Sequence, residues 1–512
     1  MPNLFNAIKL TKPKKNVFDL SHDVKFSMSM GELVPTLLLE CVPGDKFNIS
    51  CESLTRFAPM VAPVMHRFDI TTHYFFVPNR ILWPNWEAFI TNGSADPLTI
   101  PPANLPAFPY VNIGGASSFT QGKLSQALGI PEPSLNWSSP IAESVSALPF
   151  SAYHKIYSEY YRDQNLQQNE WAILDDGDNT AASYLGAMKN RAWAHDYFTS
   201  ALPFAQKGTS VEIPLGRPAL DENVFSEGRF KTAGGHVDIS GAVTSSVGST
   251  LNVAATAAVY DPAGTLINEP TTINDLRRAF RLQEWLEKAA RGGSRYFENI
   301  LSHFGVRSPD SRLQRPEYIT GIKSPIVVSE VLNTTGTADL PQGNMAGHGV
   351  GIQSGQYGSY FCQEHGYIMG ITSVMPRTAY QQGIHKTWLK RDPFDFYWPE
   401  FANIGEQEVV QREIFAFGET GNDVFGYVPR YAEYKFMNSR VFGEFASTLD
   451  YWHAGRIFDQ DTPPSLNGQF VTSNPTERIF AVTDPDASKL YIHMLHKIKA
   501  VRAMPKFGTP SF

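Results

Sequence analysis

Cysteine and histidine are the side chains best equipped for chemistry in this chain, and their spacing argues against any. Cys362-x-x-His365 offers two ligands of the kind zinc takes, but no second Cys/His pair stands at ligand spacing. His493-x-x-His496 falls in an alternating stretch, where a spacing of three puts the rings on opposite faces of a strand. A two-His, one-carboxylate iron site would need a close His-x-His, and the sequence has none. GHGVG at 347–351 lacks the Lys-Ser/Thr of a phosphate loop and any following helix, so it reads as a loop. No Gly-x-Ser-x-Gly elbow occurs. The expectation is a protein without cofactor, metal or catalytic residues.

The bulk properties point the same way. The 512 residues exceed one ordinary domain, so two domains or one domain with large excursions is expected. Gly (39) and Pro (36) stand somewhat above their usual combined share of about 12%. With 42% hydrophobic and 12% aromatic residues, this is a folded chain rich in loop. Lys and Arg number 43 against 50 Asp and Glu, a net charge of −7. A chain that coated nucleic acid through its own charge would be basic, so any nucleic acid is met locally or through another component. Cys41, Cys51 and Cys362 are too few for a disulfide framework and suit a reducing cytoplasm. Cys41 and Cys51 could face each other across a hairpin, but buried free thiols are the expectation. The N-terminus shows no apolar signal region and no run of about 18 apolar residues appears, so neither secretion by a signal peptide nor membrane insertion is expected.

The elements that would position these residues are strands. LVPTLLLECV (33–42) is an apolar run of the kind covered on both faces, and Pro43-Gly44-Asp45 supplies turn chemistry. KFNISCE (46–52) alternates. So does RFDITTHYFFV (67–77), with Phe68, Ile70, Thr72, Tyr74 and Phe76 facing a core and Arg67, Asp69, Thr71 and His73 facing solvent or a partner. GYIMGITSVMP (366–376) reads as a buried strand. LYIHMLHKIKAV (490–501) alternates again, with Leu490, Ile492, Met494 and Ile498 on one face. The fold class expected from these patterns is an all-β antiparallel sandwich with long loops and a few helices.

Between the strands, composition divides the chain. Residues 1–20 form an N-terminal basic arm, whose Lys9, Lys12, Lys14 and Lys15 are the candidates for facing DNA. Residues 94–150 are proline-punctuated and read as ordered loop. AYHKIYSEYYRDQNL (152–166) carries Tyr153, Ile156, Tyr157 and Tyr160 at helical spacing, a core stripe. Residues 206–270 turn rich in Gly, Ser, Thr and Ala, with short valine alternations that can pair as strands, and read as a β-rich insertion. In that insertion Val243, Val247, Leu251, Val253 and Tyr260 are the candidate contact residues. A helix then begins near Thr272, its capping candidate, and ends at Gly292-Gly293. Arg307, Arg312 and Arg315, with Asp310 and Glu317, suit an ion-pair network in a loop at a subunit contact. DPFDFYWPEF (392–401) packs Phe394, Phe396, Tyr397, Trp398 and Phe401 around two prolines, more aromatic surface than one core layer needs, which points to a subunit interface.

Several of these stretches together carry a resemblance. Residues 33–93, 152–166, HFGVRSPDSRLQRPEYI (303–319), GYVPRYAEYKFMNSRVFGEFAS (426–447) and LDYWHAGRIF (449–458) resemble the major capsid proteins of microviruses, small single-stranded DNA bacteriophages, and most of all their gokushovirus branch. The resemblance covers about 16–205 and 271–512 and breaks down in 206–270. It implies an eight-stranded jelly roll, residues 21–205 and 271–512, sixty copies of which close into a T=1 icosahedral shell around circular single-stranded DNA. It implies that the insertion forms a protrusion at each threefold axis and meets a bacterial host receptor. It further implies pentamers, an internal scaffolding protein, a DNA pilot protein and a small basic DNA-binding protein as partners. The virion is then the implied location, after assembly in the host cytoplasm. A non-viral, lectin-like jelly-roll binding protein and a cupin-type metalloenzyme are the alternatives; they predict a ligand site and a bound metal respectively.

Overall fold

The computed structural model describes residues 13–91, 105–113, 119, 123–131, 144–209, 211, 218–219, 229–232, 235–238, 243–244, 250–251, 267–268, 273–293, 295–332, 345–355, 357–418 and 423–507. Chain contacts divide it into two compact units, Met1–Ala205 with Gly292–Phe512, and Gln206–Arg291.

The first unit is built on antiparallel strands: β1 (Asn16–Asp19), β2 (His22–Met28), β3 (Val34–Cys41), β4 (Lys46–Phe57), β5 (Phe68–Pro78), β6 (Glu317–Leu332), β7 (Met345–Ser354), β8 (Gly358–Phe361) and β9 (Gly366–Pro376). A small separate pair follows, β10 (Glu406–Val410) with β11 (Val424–Pro429), and β12 (Leu490–Arg502) closes the chain. Hydrogen bonding runs β1-β12-β4-β7-β6-β5-β9-β3, with β2 beside β12 and β8 beside β4. Strands β6 and β7 turn the corner. Glu317–Ile326 of β6 pairs with β5, whereas Val327–Leu332 pairs with β7, whose own Val350–Ser354 lies on β4. The sheet therefore curls over itself into a half-barrel sandwich, the all-β jelly-roll arrangement expected.

The core of the sandwich is filled from both halves by Phe47, Ile49, Phe57, Phe68, Ile70, Tyr74, Phe76, Ile368, Met494 and Ile498. A polar thread crosses it. The buried Gln353 amide oxygen accepts from the Thr72 (3.1 Å) and Ser53 (3.3 Å) hydroxyls, and its nitrogen donates to the Ile322 carbonyl at 3.1 Å. Each polar group so satisfied costs little to bury.

Three expectations need correction. The second face of β5 is largely covered within the chain: Asp69 and Thr71 are buried, His73 is half-buried, Phe75 and Val77 join a second core, and only Arg67, just ahead of the strand, stays exposed. That core gathers Met369 and Ile371 from β9, Trp83, and helix α1 (Leu148–Ile156), whose Tyr153 and Ile156 are buried. Periodicity cannot show that a helix covers a strand's polar-looking face. Strands β3 and β4 are not a hydrogen-bonded hairpin, because β3 pairs with β9 and β4 with β12. Cys41 thus neighbours Cys362 rather than Cys51, and all three are buried free thiols. GHGVG is not a loop but the centre of β7, with Gly347, Gly349 and Gly351 on one buried face.

The second unit holds short strand pairs at 218–219 with 267–268, 229–232 with 235–238, and 243–244 with 250–251. It also holds most of helix α2 (Ile273–Gly292), which ends where the paired glycines stand. Val243 and Leu251 face each other in the ladder register. Val247, Val253, Tyr260 and the capping candidate Thr272 lie outside the described residues.

Candidate assembly surface

The exposed aromatic segment is held rigid from behind. Pro393 and Pro399 each open a single 3-10 turn, where proline's fixed φ fits and its missing N–H costs nothing. Asp392 caps the first turn by accepting the Phe394 N–H at 3.0 Å. Asp395 accepts the backbone N–H groups of Arg391 and Asp392, both at 2.9 Å, which holds its carboxyl below the usual range. The Trp398 indole donates to the Pro393 carbonyl at 2.9 Å, and Arg430 donates to the Phe394 carbonyl at 2.8 Å. The Tyr431 hydroxyl accepts the Trp398 N–H and donates to the Phe396 carbonyl, each at 3.2 Å.

Beneath these loops lies a buried ion pair. Lys390 and Glu433 meet at 3.0 Å with side chains only 4% and 3% exposed. The ammonium also sits 4.0 Å from the centre of the Tyr434 ring, and Glu433 accepts the Gln407 amide at 2.7 Å. Gln407 in turn accepts the Tyr431 N–H at 3.0 Å, pinning that residue at a left-handed φ of 63°. A backbone conformation of that kind persists only where its surroundings over-determine it.

With the backbone so fixed, the rings point outward: Phe394 is 63% exposed, Phe396 52%, Tyr397 51% and Trp398 48%. Trp388, Phe436 and Phe442 are exposed as well, and sequence reasoning missed them because each stands outside the dense aromatic run. Large rigid aromatic side chains lose little entropy on docking and dominate the energetics of protein interfaces.

The arginine loop is different. Arg315 is buried, pairs with Asp310 at 3.4 Å, and lies 3.9 Å over the Phe297 ring and 4.5 Å over that of Tyr160. It clamps helix α3 (Tyr296–Phe304) to the body from within the chain. Arg307 and Arg312 are exposed and make no ion pair among the described residues. Glu317 has its carboxyl raised above the usual range by burial and takes a hydrogen bond from Tyr360 instead. The expected five-member network is therefore a single Arg315–Asp310 pair. Charge spacing along a sequence cannot tell which arginine turns inward.

Of the basic arm, Lys14 and Lys15 are exposed, and Lys15 reaches the Gly44 carbonyl at 3.5 Å. Lys9 and Lys12 lie outside the described residues. The arm's last residues, Asn16–Asp19, are β1, paired with Lys499–Arg502.

The residues first weighed for chemistry are scattered. Cys362 is buried, while His365 packs edge-on against Trp86. His493 is exposed beside Asp23 at 3.2 Å, whereas His496 is buried with its Nδ1 2.9 Å from the Tyr74 hydroxyl. The two rings do lie on opposite faces. Among the described residues no cluster of His, Cys, Asp or Glu is positioned to hold a metal, and no helix is long and apolar enough to cross a membrane.

Comparison with known proteins identifies the family of the whole chain. Residues 7–512 match the family described as capsid protein (F protein). The chain is 36% identical to capsid protein VP1 of Bdellovibrio phage phiMH2K, an alignment covering 99% of this chain and 97% of that protein. It is 33% identical to capsid protein VP1 of Chlamydia phage 1, over 100% of this chain and 98% of the relative. Capsid protein VP1 of Spiroplasma virus 4 is 30% identical over 99% and 97% of the two chains. A curled β-sandwich carrying a rigid, outward-facing aromatic surface, matched along nearly its whole length, belongs to the phage capsid protein (F protein) family: it is a structural component of the microvirus shell and not an enzyme.

Proposed function

We propose that this chain closes, sixty copies at a time, into a T=1 icosahedral shell of the gokushovirus type around circular single-stranded DNA. The observation that carries the reading is the fixed aromatic surface at 394–398, exposed on a single chain and backed by a buried ion pair. A closed shell needs heterologous contacts whose rotations close, and long loops on a rigid sandwich with few open edges supply them. Phe394, Phe396, Tyr397 and Trp398 make subunit contacts, and the exposed Arg307 and Arg312 make others. Pentamers precede the shell, with an internal scaffolding protein, a DNA pilot protein and a small basic DNA-binding protein as partners in the host cytoplasm. The last follows from the chain's charge of −7, which leaves packaged phosphate to be neutralised elsewhere. Lys9, Lys12, Lys14 and Lys15 face the DNA.

Phe394→Asp with Phe396→Asp tests the contact surface. The double variant keeps its circular dichroism spectrum and stops short of closed particles in sedimentation; particles of normal size would refute the assignment.

The unit around 206–270 is read as the threefold protrusion that meets a bacterial receptor, with the Val243–Leu251 ladder among its strands and Val247, Val253 and Tyr260 as further contact candidates. Replacing 208–268 by a short Gly/Ser linker should leave assembled particles that no longer adsorb to host cells. Undiminished adsorption would remove that role.

A further inference from the structure

The chain leading into the turn Gly443–Ala446 is fixed by backbone bonds. The Tyr380 N–H donates to the Ser439 carbonyl at 3.0 Å, and the Val441 N–H to the Tyr380 carbonyl at 3.1 Å. Side chains hold the turn itself from behind. The Gln381 amide donates to the Ala446 carbonyl at 3.2 Å, and His453 Nε2 donates to the Phe445 carbonyl at 2.8 Å. Phe442, at the head of this turn, is 78% exposed.

His453 is only 4% exposed, and both nitrogens of its ring are engaged. While Nε2 donates, Nδ1 accepts the Gly455 N–H at 3.0 Å and faces the Arg478 guanidinium at 3.3 Å. That pattern fits one protonation state, the neutral ring with its hydrogen on Nε2. A further proton on Nδ1 would point at two donors, one of them a cation. The backbone also lies close against the ring, since a Cβ on Gly455 would stand 2.8 Å from Nδ1.

The surrounding charges offer a protonated ring no relief. Arg478 donates to the Asp450 and Gly455 carbonyls, each at 2.9 Å, and stands 3.8 Å from the Asp450 carboxylate. His66 approaches from the link before β5, and Arg67, Arg377, Arg440 and His195 border the same cleft. The acids there are engaged: Asp450 with Arg478, Asp69 with Arg67 and Arg377, and Asp196 with the Tyr380 hydroxyl at 2.7 Å. Lost hydration pushes the His453 proton affinity below the ordinary histidine range; Arg478 acts the same way, while the Phe445 carbonyl and Asp450 act against it.

We propose that His453 is an acid-released latch on the contact surface: the neutral ring holds 443–449 against the body, and a protonated ring lets that segment go. What this does to assembly rests on the shell reading above; the latch itself does not. In the opened segment the ring is hydrated and protonates near 6.5, so the open form gains the proton first as pH falls. The latch is therefore intact above pH 6.5 and weakens progressively below it. At pH 5.5, one unit below that value, opening should be about tenfold more frequent.

Hydrogen exchange of the full chain, followed by mass spectrometry and corrected for the intrinsic pH dependence of exchange, reads the latch at pH 7.5 and 5.5. The reporters are the bonded amides of Ser447, Leu449 and Gly455, with those of β5 and β9 as reference. Reporter protection should fall about tenfold at pH 5.5 and lie below that of β5 and β9 at both pH values. His453→Gln should abolish the fall and His66→Gln should keep it. A fall that is absent from the wild type, persists in His453→Gln or disappears only in His66→Gln would overturn the latch. So would reporters that exchange only together with β5 and β9, a result that marks global unfolding and needs no variant. Particle formation is scored in parallel: a wild-type chain that forms none at pH 7.5 indicts the shell reading alone. A lower yield at pH 5.5 for the wild type but not for His453→Gln supports the latch's part in assembly, and equal yields would overturn it.

Discussion

At the scale of single residues, His496, first weighed as a ligand, proves to matter as a neutral ring held away from water, as do three histidines never weighed for chemistry. Burial lowers His66, His73 and His496 from 6.5 to about 4, and His154 to about 3. In the unfolded chain these rings take up a proton as pH falls below 6.5, while the folded chain keeps them neutral. Protons therefore bind the unfolded state preferentially, and stability present above pH 6.5 is lost progressively down to about pH 4. A ring held from 6.5 to about 4 contributes on the order of 3 kcal/mol to that loss. The urea midpoint should fall steeply between pH 6.5 and 4.5, and His496→Gln should flatten the fall; a midpoint constant over that interval would contradict the account. The alternation of β12 already puts His496 on the face of Leu490, Ile492, Met494 and Ile498, but nothing in the sequence marks His66, His73 or His154 as held neutral. The same holds for Lys390 and Glu433, whose buried pairing at 3.0 Å joins residues distant in sequence. The exposed rings of 394–398 were legible, since five aromatics around two prolines exceed the needs of any core.

At the scale of elements, period-two alternation identified β4, β5 and β12 correctly, because each keeps one face on the sandwich core. It failed where both faces are covered, as for β5 under α1, and where side chains are absent. In β7 the glycines at 347, 349 and 351 make room for a close neighbour. A Cβ on Gly349 would stand 2.8 Å from the Phe57 ring, and one on Gly351 2.8 Å from Ile326 Cγ1. A glycine-rich string is thus a strand whose face has been cleared for the larger side chains opposite. Gly349→Val should cost about 1–3 kcal/mol through overpacking, visible as a lower urea midpoint, and Phe57→Ala in the same chain should recover part of it. An unchanged midpoint for Gly349→Val would mean that the face is not packed as described. Helix α1 shows a related limit. The aromatic stripe was read from a uniform helical period, but Tyr157–Tyr161 form a π turn that brings Tyr161 into the core beside Tyr153. An extra residue in a turn leaves no mark on composition.

At the scale of the whole molecule, the chain divides its tasks. The sandwich holds the main core, the loops after β9 carry exposed aromatic rings, and Gln206–Arg291 forms its own compact unit. The fold class was legible because strand patterns recur at both ends of the sequence. The order of strands was not, since β3 pairs across some three hundred residues with β9 rather than with its neighbour β4. The shell itself is the central claim, and the mass of the assembled particle tests it most directly. Multi-angle light scattering on chain co-expressed with the neighbouring gene products should give about 3.4 MDa, sixty chains of 57.0 kDa. Under electron microscopy the same sample should show closed, uniform particles. A product that remains a monomer or small oligomer with every partner supplied would contradict the account.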